Sequence, residues 1–221
     1  MTGFAATAAL LADPARAAML SALLPGEALT AGELARVAGV APSTATEHLA
    51  RLVDGGLLLL HAQGRHRYFR LAGEEVASLL ETLGGLQARN SRAPWPHGDA
   101  FRAARLCWNH VAGRLGVALH ERLTGAGLIA PAPGGWACTD EGTERLGRLG
   151  ITACTGRDCM DWSERRPHLA GGLGSAMAAQ FQARGWLRRV SPRSDNALER
   201  RRLVLSPEGA RQLREALGVA L

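Results

Sequence analysis

The sequence contains no lysine, although 26 of its 221 residues are basic and its formal net charge is +6. Every strongly basic side chain is therefore an arginine, whose planar guanidinium suits bidentate contacts with phosphates and carboxylates. The charge is uneven: residues 1–90 have 7 arginines and 8 acids, a balance of −1, whereas residues 91–221 have 19 arginines and 12 acids, a balance of +7. Strong nonspecific attraction to a polyanion is therefore not expected of the first 90 residues.

Long hydrophobic runs are also absent, since no stretch approaches the roughly 18 apolar residues of a membrane span. The apolar start of the chain lacks the basic segment of a signal peptide and is followed by Asp13-Pro14. We therefore expect a cytoplasmic protein with no membrane partner. A disulfide framework is not expected in that compartment, which leaves metal binding, redox chemistry or simple burial for the cysteines. The four cysteines are Cys107, Cys138, Cys154 and Cys159.

Three stretches of the chain share one pattern, in which a helix, a glycine step, a short hairpin and a second helix follow one another. The glycine steps are Gly56-Leu57, Gly127-Leu128 and Gly185-Trp186. This order is the back half of a winged helix, and internal repeats decide architecture before any other signal. We therefore predict a mainly α fold with small β-hairpin wings, in which an N-terminal winged helix-turn-helix precedes two degenerate winged-helix-like repeats.

The domain boundaries follow from this pattern. Residues 91–99 are rich in turn-forming residues and predict a linker. The linker separates a first domain, residues 1–90, from a second domain, residues 100–221, which contains the two degenerate repeats.

Local signals in the first domain predict a helix-turn-helix. The capping-box pair Thr30 and Glu33 predicts a helix over Ala31–Ala38, and Pro42 opens a second helix that runs to about Asp54. Two short helices joined by a turn that contains glycine form this motif. The second helix lacks a capping side chain, because an alanine precedes Pro42.

The second helix and the hairpin that follows it carry polar side chains suited to duplex DNA. The polar face of the helix consists of Ser43, Thr44, Thr46, Glu47, His48 and Arg51. Hydroxyl groups can contact bases or phosphates, and the basic side chains suit the phosphate backbone. The hairpin tip carries Arg65, His66 and Arg67, of which the arginines would reach phosphates or the minor groove. Alone, such a face is as consistent with a solvated surface, but its place in a helix-turn-helix followed by a basic wing favours DNA.

These residues resemble the ArsR-type winged-helix repressors of bacteria. The matching stretches are Leu11–Arg16, Glu33–Ala35, Ser43–Leu49 and Gly64–Phe69, and the resemblance covers about residues 5–90. It implies that residues 1–90 bind DNA and dimerise, so that a homodimer places paired helices in successive major grooves of a palindromic operator, roughly 34 Å apart. We expect the first helix and the helix after the wing to form the dimer interface. Their apolar residues are Leu10, Leu11, Leu79, Leu80 and Leu83.

The usual sensor sites of that family are absent from this sequence. The resemblance implies cysteines before the turn or histidines on the last helix of the domain, but the corresponding segments, Glu33–Gly39 and Glu74–Leu83, contain neither. We therefore expect residues 100–221 to be the effector-sensing domain.

Two segments of the second domain carry candidate metal ligands. We predict a helix over Ala103–Leu119, on which Cys107 and His110 share a face. The segment Cys154–His168 is also dense in sulfur and polar groups. Both resemble a subset of two-domain ArsR-type regulators with a Cys-x-x-His segment and a Cys-x-Asp-Trp-Ser-Glu-Arg-Arg-Pro-His segment. The predicted ligands of a transition metal or heme are Cys107, His110, Cys159 and His168.

Other interpretations of the second domain remain open at this point: a cysteine redox switch, a pocket for an organic ligand, or a purely structural extension. Its last repeat is rich in arginine and could contact DNA, bind an anion or be solvated. These arginines are Arg184, Arg188, Arg189, Arg193, Arg200, Arg201 and Arg202.

The sequence favours a DNA-binding repressor that a small effector in the second domain releases. A ligand-independent regulator fits the same sequence. A cysteine-dependent enzyme fits it poorly, because neither Cys107 nor Cys159 lies in a nucleophile motif. We therefore do not expect an enzyme.

Overall fold

The computed structural model describes residues 3–64, 66–90, 98–190 and 197–220, with side chains described except at 85–90 and 197–198. Arg65 and Arg193, and residues 91–97 of the predicted linker, lie outside this range. The chain forms two compact units, one chiefly of Met1–Leu80 and one of Glu81–Arg193 with Leu198–Leu221. Within the described ranges, none of the helices has the length and apolar character needed to cross a membrane.

The first unit is a winged helix-turn-helix. Its strands form an antiparallel sheet in the order β1-β3-β2. The predicted helices and hairpin are confirmed, whereas β1, with only two residues, carries no sequence pattern that could predict it. The elements are α1 (Gly3–Leu11), α2 (Pro14–Leu23), β1 (Leu29–Thr30), α3 (Ala31–Ala38), α4 (Pro42–Asp54), β2 (Leu58–Gln63), β3 (His66–Leu71) and α5 (Glu74–Asn90), the last of which extends beyond Leu80.

The predicted capping box fixes the start of α3. The Thr30 hydroxyl accepts a hydrogen bond from the Glu33 amide at 3.3 Å, and the Glu33 carboxylate accepts one from the Thr30 amide at 2.8 Å. A cap of this kind contributes about 1 kcal/mol. Gly39 ends the helix in the left-handed conformation, so the turn of the helix-turn-helix forms where the sequence places it.

The described part of the second unit contains three antiparallel sheets, in the orders β4-β5, β6-β7-β8-β9 and β10-β11. Its elements are α6 (Gly98–Ala103), β4 (Arg105–Cys107), β5 (His110–Ala112), α7 (Arg114–Gly125), β6 (Ile129–Ala132), β7 (Gly135–Cys138), α8 (Asp140–Arg148), β8 (Thr155–Met160), β9 (Pro167–Ala170), α9 (Gly171–Ala183), β10 (Leu187–Arg189), α10 (Ala197–Arg201), β11 (Leu203–Leu205) and α11 (Pro207–Leu217).

The predicted helix over Ala103–Leu119 is wrong. This stretch contains the end of α6, the hairpin β4–β5 and the start of α7. Trp108 adopts a φ of +57° in the two-residue turn of the hairpin, a conformation that an α-helix cannot contain. The prediction failed because a short apolar run fits a buried strand as well as a helix, and periodicity cannot separate the two.

Among the described residues, one backbone arrangement occurs three times, where a helix passes into a pair of antiparallel strands. The hydrogen bonds that end the helices are Leu57 N to Leu52 O, Leu128 N to Leu123 O and Trp186 N to Phe181 O, each 2.9 Å long. The hydrogen bonds at the far ends of the hairpins are Ala72 N to Leu57 O, Thr139 N to Leu128 O and Ser206 N to Trp186 O, at 3.0, 3.1 and 2.9 Å. The three segments are α4–β2–β3–α5, α7–β6–β7–α8 and α9–β10–α10–β11–α11, the last of which has the short helix α10 between its two paired strands.

In the second unit, a hairpin precedes each of the two segments, β4–β5 before α7 and β8–β9 before α9. Both helices pack closely on their own hairpins at a glycine. A Cβ on Gly116 would lie 2.3 Å from the Val111 carbonyl oxygen, and one on Gly174 would lie 2.2 Å from that of Leu169. Only glycine fits at either position. Each helix therefore packs directly against the backbone of its own hairpin, in the same way in both cases.

Candidate functional site

Helix α4 presents a polar surface because three of its apolar residues form a buried face on the opposite side. Ala45, Leu49 and Leu52 are at most 1% exposed, and they follow the spacing of one helical face. The side chains on the opposite face are exposed: Ser43, Thr44, Thr46, Glu47 and Arg51. A rigid helix with such a face can place hydroxyl and charged groups against base edges and phosphates.

His48 lies differently from its predicted place on this outward face. Its ring is only 15% exposed, and Nδ1 lies 3.3 Å from an Arg16 guanidinium nitrogen and 3.9 Å from the Asp13 carboxylate. The Asp13 carboxylate also caps α2, so His48 fixes α4 against α2. His48 lies at the boundary between the buried face and the exposed face of α4. Helical periodicity therefore could not decide from the sequence which of the two faces its side chain joins.

The wing is the hairpin β2–β3, in which Gln63 pairs with His66 at the tip. His66 and Arg67 are exposed, whereas Phe69 is buried. Inward-facing Phe69 therefore anchors the hairpin while its tip carries basic groups into solvent.

The four predicted metal ligands lie together. Cys107 and His110 are directly opposite each other in the hairpin β4–β5, and Cys159 and His168 are directly opposite each other in β8–β9. Opposite residues of an antiparallel pair project on the same side of the sheet. The two pairs meet with one ligand atom of each residue within 4.8 Å of all the others.

The cluster is compact and largely buried. The Sγ atoms of Cys107 and Cys159 are 4.0 Å apart, and the Nε2 atoms of His110 and His168 are 3.1 Å apart. Cys107 is 4% exposed, and each histidine is 1% exposed. The hydrogen bond with Cys159, together with burial, raises the pKa of the Cys107 thiol to about 12. Without a metal, Cys107 is therefore a protonated thiol at neutral pH.

The loop between β8 and β9 is fixed by Asp161, which is fully buried. Its carboxylate accepts hydrogen bonds from the Arg105 guanidinium and the Gly113 amide, each at 2.7 Å, and from the Ser163 amide at 2.9 Å. Burial alone would raise the pKa of Asp161, but the Arg105 charge and these hydrogen bonds hold the pKa well below its usual range. The same carboxylate lies 3.6 Å from Nδ1 of His168.

Arg105 is a residue of this arrangement that the sequence did not reveal. It is fully buried, and its guanidinium lies against the rings of Phe101 and Trp162, at 5.2 and 4.9 Å from their centroids. No local pattern marks it, because its partner Asp161 is 56 residues away. The density of polar groups around Asp161 was the only sequence signal of this arrangement.

In the arginine-rich segment at residues 184–202, two of the arginines that the structure describes are buried. Arg200 and Arg201 are 6% and 1% exposed. Arg201 pairs with Glu81 and donates a hydrogen bond to the Leu106 carbonyl at 2.9 Å. Burial of these two residues reduces the number of arginines that can reach a polyanion.

Comparison with known proteins places this geometry in a family. The model of a helix-turn-helix domain matches residues 11–61. The HTH-type transcriptional regulator YdfF of Bacillus subtilis is 33% identical over 192 residues, which cover 82% of this chain and 85% of YdfF. The HTH-type transcriptional regulator YgaV of Escherichia coli is 30% identical over 73 residues, which cover 33% of this chain and 74% of YgaV.

The following solved structures each match about two fifths of the chain. HlyU from Vibrio cholerae is 26% identical and matches 39% of this chain and 92% of its own, with a TM-score of 0.36. The homodimeric winged helix-turn-helix DNA-binding domain of Mb0332 from Mycobacterium bovis, described as a possible ArsR-family regulator, is 26% identical and matches 42% and 88%, with a TM-score of 0.36.

The relationship with YdfF extends over most of both chains, so it includes the second unit as well as the winged helix-turn-helix. A helix-turn-helix and a hairpin with a basic tip stand in the first unit, in agreement with the name of that relative. The protein is a DNA-binding transcriptional regulator, and it belongs to the family of HTH-type transcriptional regulators that includes YdfF.

Proposed function

We propose that the protein is a repressor that binds a palindromic operator as a homodimer and is released by an effector held in the second unit. The observation that carries the effector site is the convergence of Cys107, His110, Cys159 and His168 in that unit. Four metal-ligand groups, three buried and one half-buried, lie in one place in this cluster. Such clusters occur where a protein binds a metal.

The operator contacts would come from α4 and the wing. Ser43, Thr44 and Thr46 would face base edges, whereas Arg51 and Arg67 would face phosphates. The Thr46 hydroxyl donates to the Pro42 carbonyl at 2.9 Å, which leaves its oxygen lone pairs to accept from a base. Glu47 and His66 are exposed beside these groups, and Arg65 belongs to the same wing by sequence.

The dimer interface would involve α1 and α5. Helix α1 has no buried residue, and its Phe4 is 84% exposed. On α5, Leu79 and Leu83 are four residues apart, and they are 40% and 42% exposed. Leu10, Leu11 and Leu80 are partly exposed. An apolar stripe on a helix of a small unit needs a partner, and a second copy fits a two-fold symmetric operator.

The two segments α7–β6–β7–α8 and α9–β10–α10–β11–α11 would be degenerate copies of the winged helix. Their support is the shared set of backbone hydrogen bonds at the ends of their hairpins. Neither segment has a helix corresponding to α3 immediately before its first helix, since a hairpin stands there instead. The copies would therefore serve the effector site rather than DNA.

A gel-shift titration with the promoter of the gene itself tests the proposal. We expect a shifted complex of two chains per operator, and loss of that complex when the effector is added. A ligand-independent regulator is the second candidate. Four protein ligands would leave a bound metal no open coordination position, and metal sites closed in this way are often structural. Binding that is unchanged by any occupant of the cluster would support this second candidate.

A further inference from the structure

We propose that Cys107, His110, Cys159 and His168 bind one zinc ion in tetrahedral geometry. With metal–sulfur bonds of about 2.3 Å and metal–nitrogen bonds of about 2.0 Å, a tetrahedral ion separates its two sulfurs by about 3.8 Å and its two nitrogens by about 3.3 Å. The observed separations are 4.0 Å for the sulfurs and 3.1 Å for the nitrogens. Both the sulfur–sulfur and the nitrogen–nitrogen separation agree with the values for a tetrahedral ion to within a few tenths of an ångström.

The hydrogen-bonding directions of the two rings are compatible with a cation between them. Nδ1 of His110 lies 3.2 Å from Oδ1 of Asn109, and an amide oxygen can only accept. The His110 ring therefore presents the lone pair of its Nε2 toward Nε2 of His168, 3.1 Å away. Nδ1 of His168 lies 3.6 Å from the Asp161 carboxylate, beyond hydrogen-bond distance. With a metal bound, the Nε2 lone pairs of both rings would point at the ion, and the Asn109 oxygen would orient the His110 ring as in other histidine–metal sites.

The site is built with internal symmetry. Each of the two hairpins supplies one cysteine and, opposite it, one histidine. The helix after each hairpin also contacts the histidine of the other hairpin through a glycine. A Cβ on Gly116, in α7, would lie 3.3 Å from Cβ of His168. A Cβ on Gly174, in α9, would lie 3.3 Å from Cβ of His110. A metal bound here therefore ties the two repeats of the second unit together at equivalent positions.

The ligand chemistry selects the metal. Two thiolates and two imidazoles in a tetrahedron are typical of zinc, whereas calcium and magnesium require oxygen ligands. Zinc binding converts both cysteine thiols to thiolates and releases two protons to solvent, while the imidazoles bind in the neutral form. The product, one Zn²⁺ with two thiolates, has no net charge, and a neutral complex suits a site in which three ligands are buried.

The packing favours a bare ion over heme. The nitrogens of His110 and His168 leave no room for a porphyrin between them. The neighbouring apolar cavity has a volume of only about 10 Å³ and is lined by Val111, Gly116, Leu119, Leu169, Gly174 and Met177. The role of zinc as the effector depends on the function proposed above, whereas the zinc site itself does not.

Metal binding by the full-length chain tests the site without any use of DNA. The protein is purified under reducing conditions, freed of metal with a chelator and titrated with Co²⁺. We expect the visible bands of tetrahedral cobalt together with thiolate-to-cobalt charge transfer, saturation at one ion per chain, and displacement of the ion by one equivalent of Zn²⁺. A folded wild-type protein that shows none of these bands would overturn the proposal.

Cysteine variants assign the ligands. Cys107→Ser and Cys159→Ser should each lose the charge-transfer intensity and stoichiometric zinc, and the matched controls Cys138→Ser and Cys154→Ser, in the same unit, should retain both. Unchanged spectra in the first pair would contradict the assignment. So would a Cys107–Cys159 disulfide in metal-free protein as isolated, detected by mass spectrometry. Because the wild-type titration needs no variant, the test remains decisive even where a variant fails to fold. Failure of DNA binding in the gel shift would leave these results unaffected.

Discussion

The imidazole rings of His110 and His168 meet with their Nε2 atoms 3.1 Å apart, although 58 residues separate the two histidines along the chain. Each ring is paired across its own hairpin with a cysteine. The site therefore forms only when both hairpins are in place, and anything that changes how they pack changes the site.

Arg67→Ala should weaken operator binding on all sequences and make its salt dependence less steep. Arg67 is exposed on the wing, and each lost phosphate contact removes about 0.9 from the slope of log affinity against log salt. Fluorescence anisotropy at several salt concentrations measures this slope. Arg211→Ala removes the same charge from the second unit, where Glu208 and Glu215 pair with Arg211, and should leave the slope unchanged. Equal slopes for the wild type and Arg67→Ala would show that the wing does not contact phosphate.

Thr44→Ala should relax sequence preference more than it lowers affinity. Thr44 is exposed on α4 and its hydroxyl can serve a base edge, a contact that discriminates among bases. Competition between the operator and single-base variants of it measures the preference. We expect the ratio of affinities to fall for one or two positions of each half-site. A uniform loss across all competitors would instead make Thr44 a phosphate contact.

Leu79→Asp should convert a dimer to a monomer. Leu79 is 40% exposed in the single chain, so a charge there costs the isolated chain little, whereas a charge buried in a dimer interface without a partner is expensive. Sedimentation at micromolar concentration separates the two states. The control is Leu60→Asp, at a site that is 45% exposed on β2. Equal mass for the wild type and Leu79→Asp, with the wild type dimeric, would place the interface elsewhere.

The helices and the hairpin of the first unit could be predicted well from local sequence signals. The capping pair Thr30 and Glu33 acts over three residues, so the bounds of α3 follow from the sequence alone. The four candidate ligands could be selected for a related reason, since sulfur and imidazole are rare enough in the sequence to stand out. Their scaffold was not predictable, because the hairpin at Cys107 depends on Arg105, whose burial requires Asp161 from a distant loop. A buried ion pair between remote residues leaves no periodicity in the sequence.

Asp161→Asn should destabilise the second unit strongly. It leaves Arg105, which is fully buried, without its charged partner, and removal of one member of a buried pair costs about 3–5 kcal/mol. Urea unfolding measures the loss. Asp99→Asn is the matched control, because Asp99 pairs with Arg114 on the surface, where its side chain is 79% exposed, and stability should change little. Similar losses in both variants would show that the buried pair does not hold the β8–β9 loop.

Cys107→Ala should leave DNA binding by the metal-free protein intact and abolish its response to zinc. Cys107 lies in the second unit and supplies one of the four ligand atoms, whereas α4 and the wing belong to the first. If zinc favours one state of the regulator, the operator affinity of the wild type should change by about 5- to 150-fold on metal loading, the usual range of coupling between two sites. Anisotropy titrations of metal-free and zinc-loaded protein measure this ratio.

The control for this last experiment is Cys154→Ala, which removes a thiol from the same unit but lies outside the ligand cluster. It should keep the full response of the wild type. A wild-type ratio of one, with zinc bound at one ion per chain, would show that the metal holds the two hairpins together without controlling the operator. The chain would then be a ligand-independent regulator, because a ligand with equal affinity for both states cannot shift the equilibrium between them.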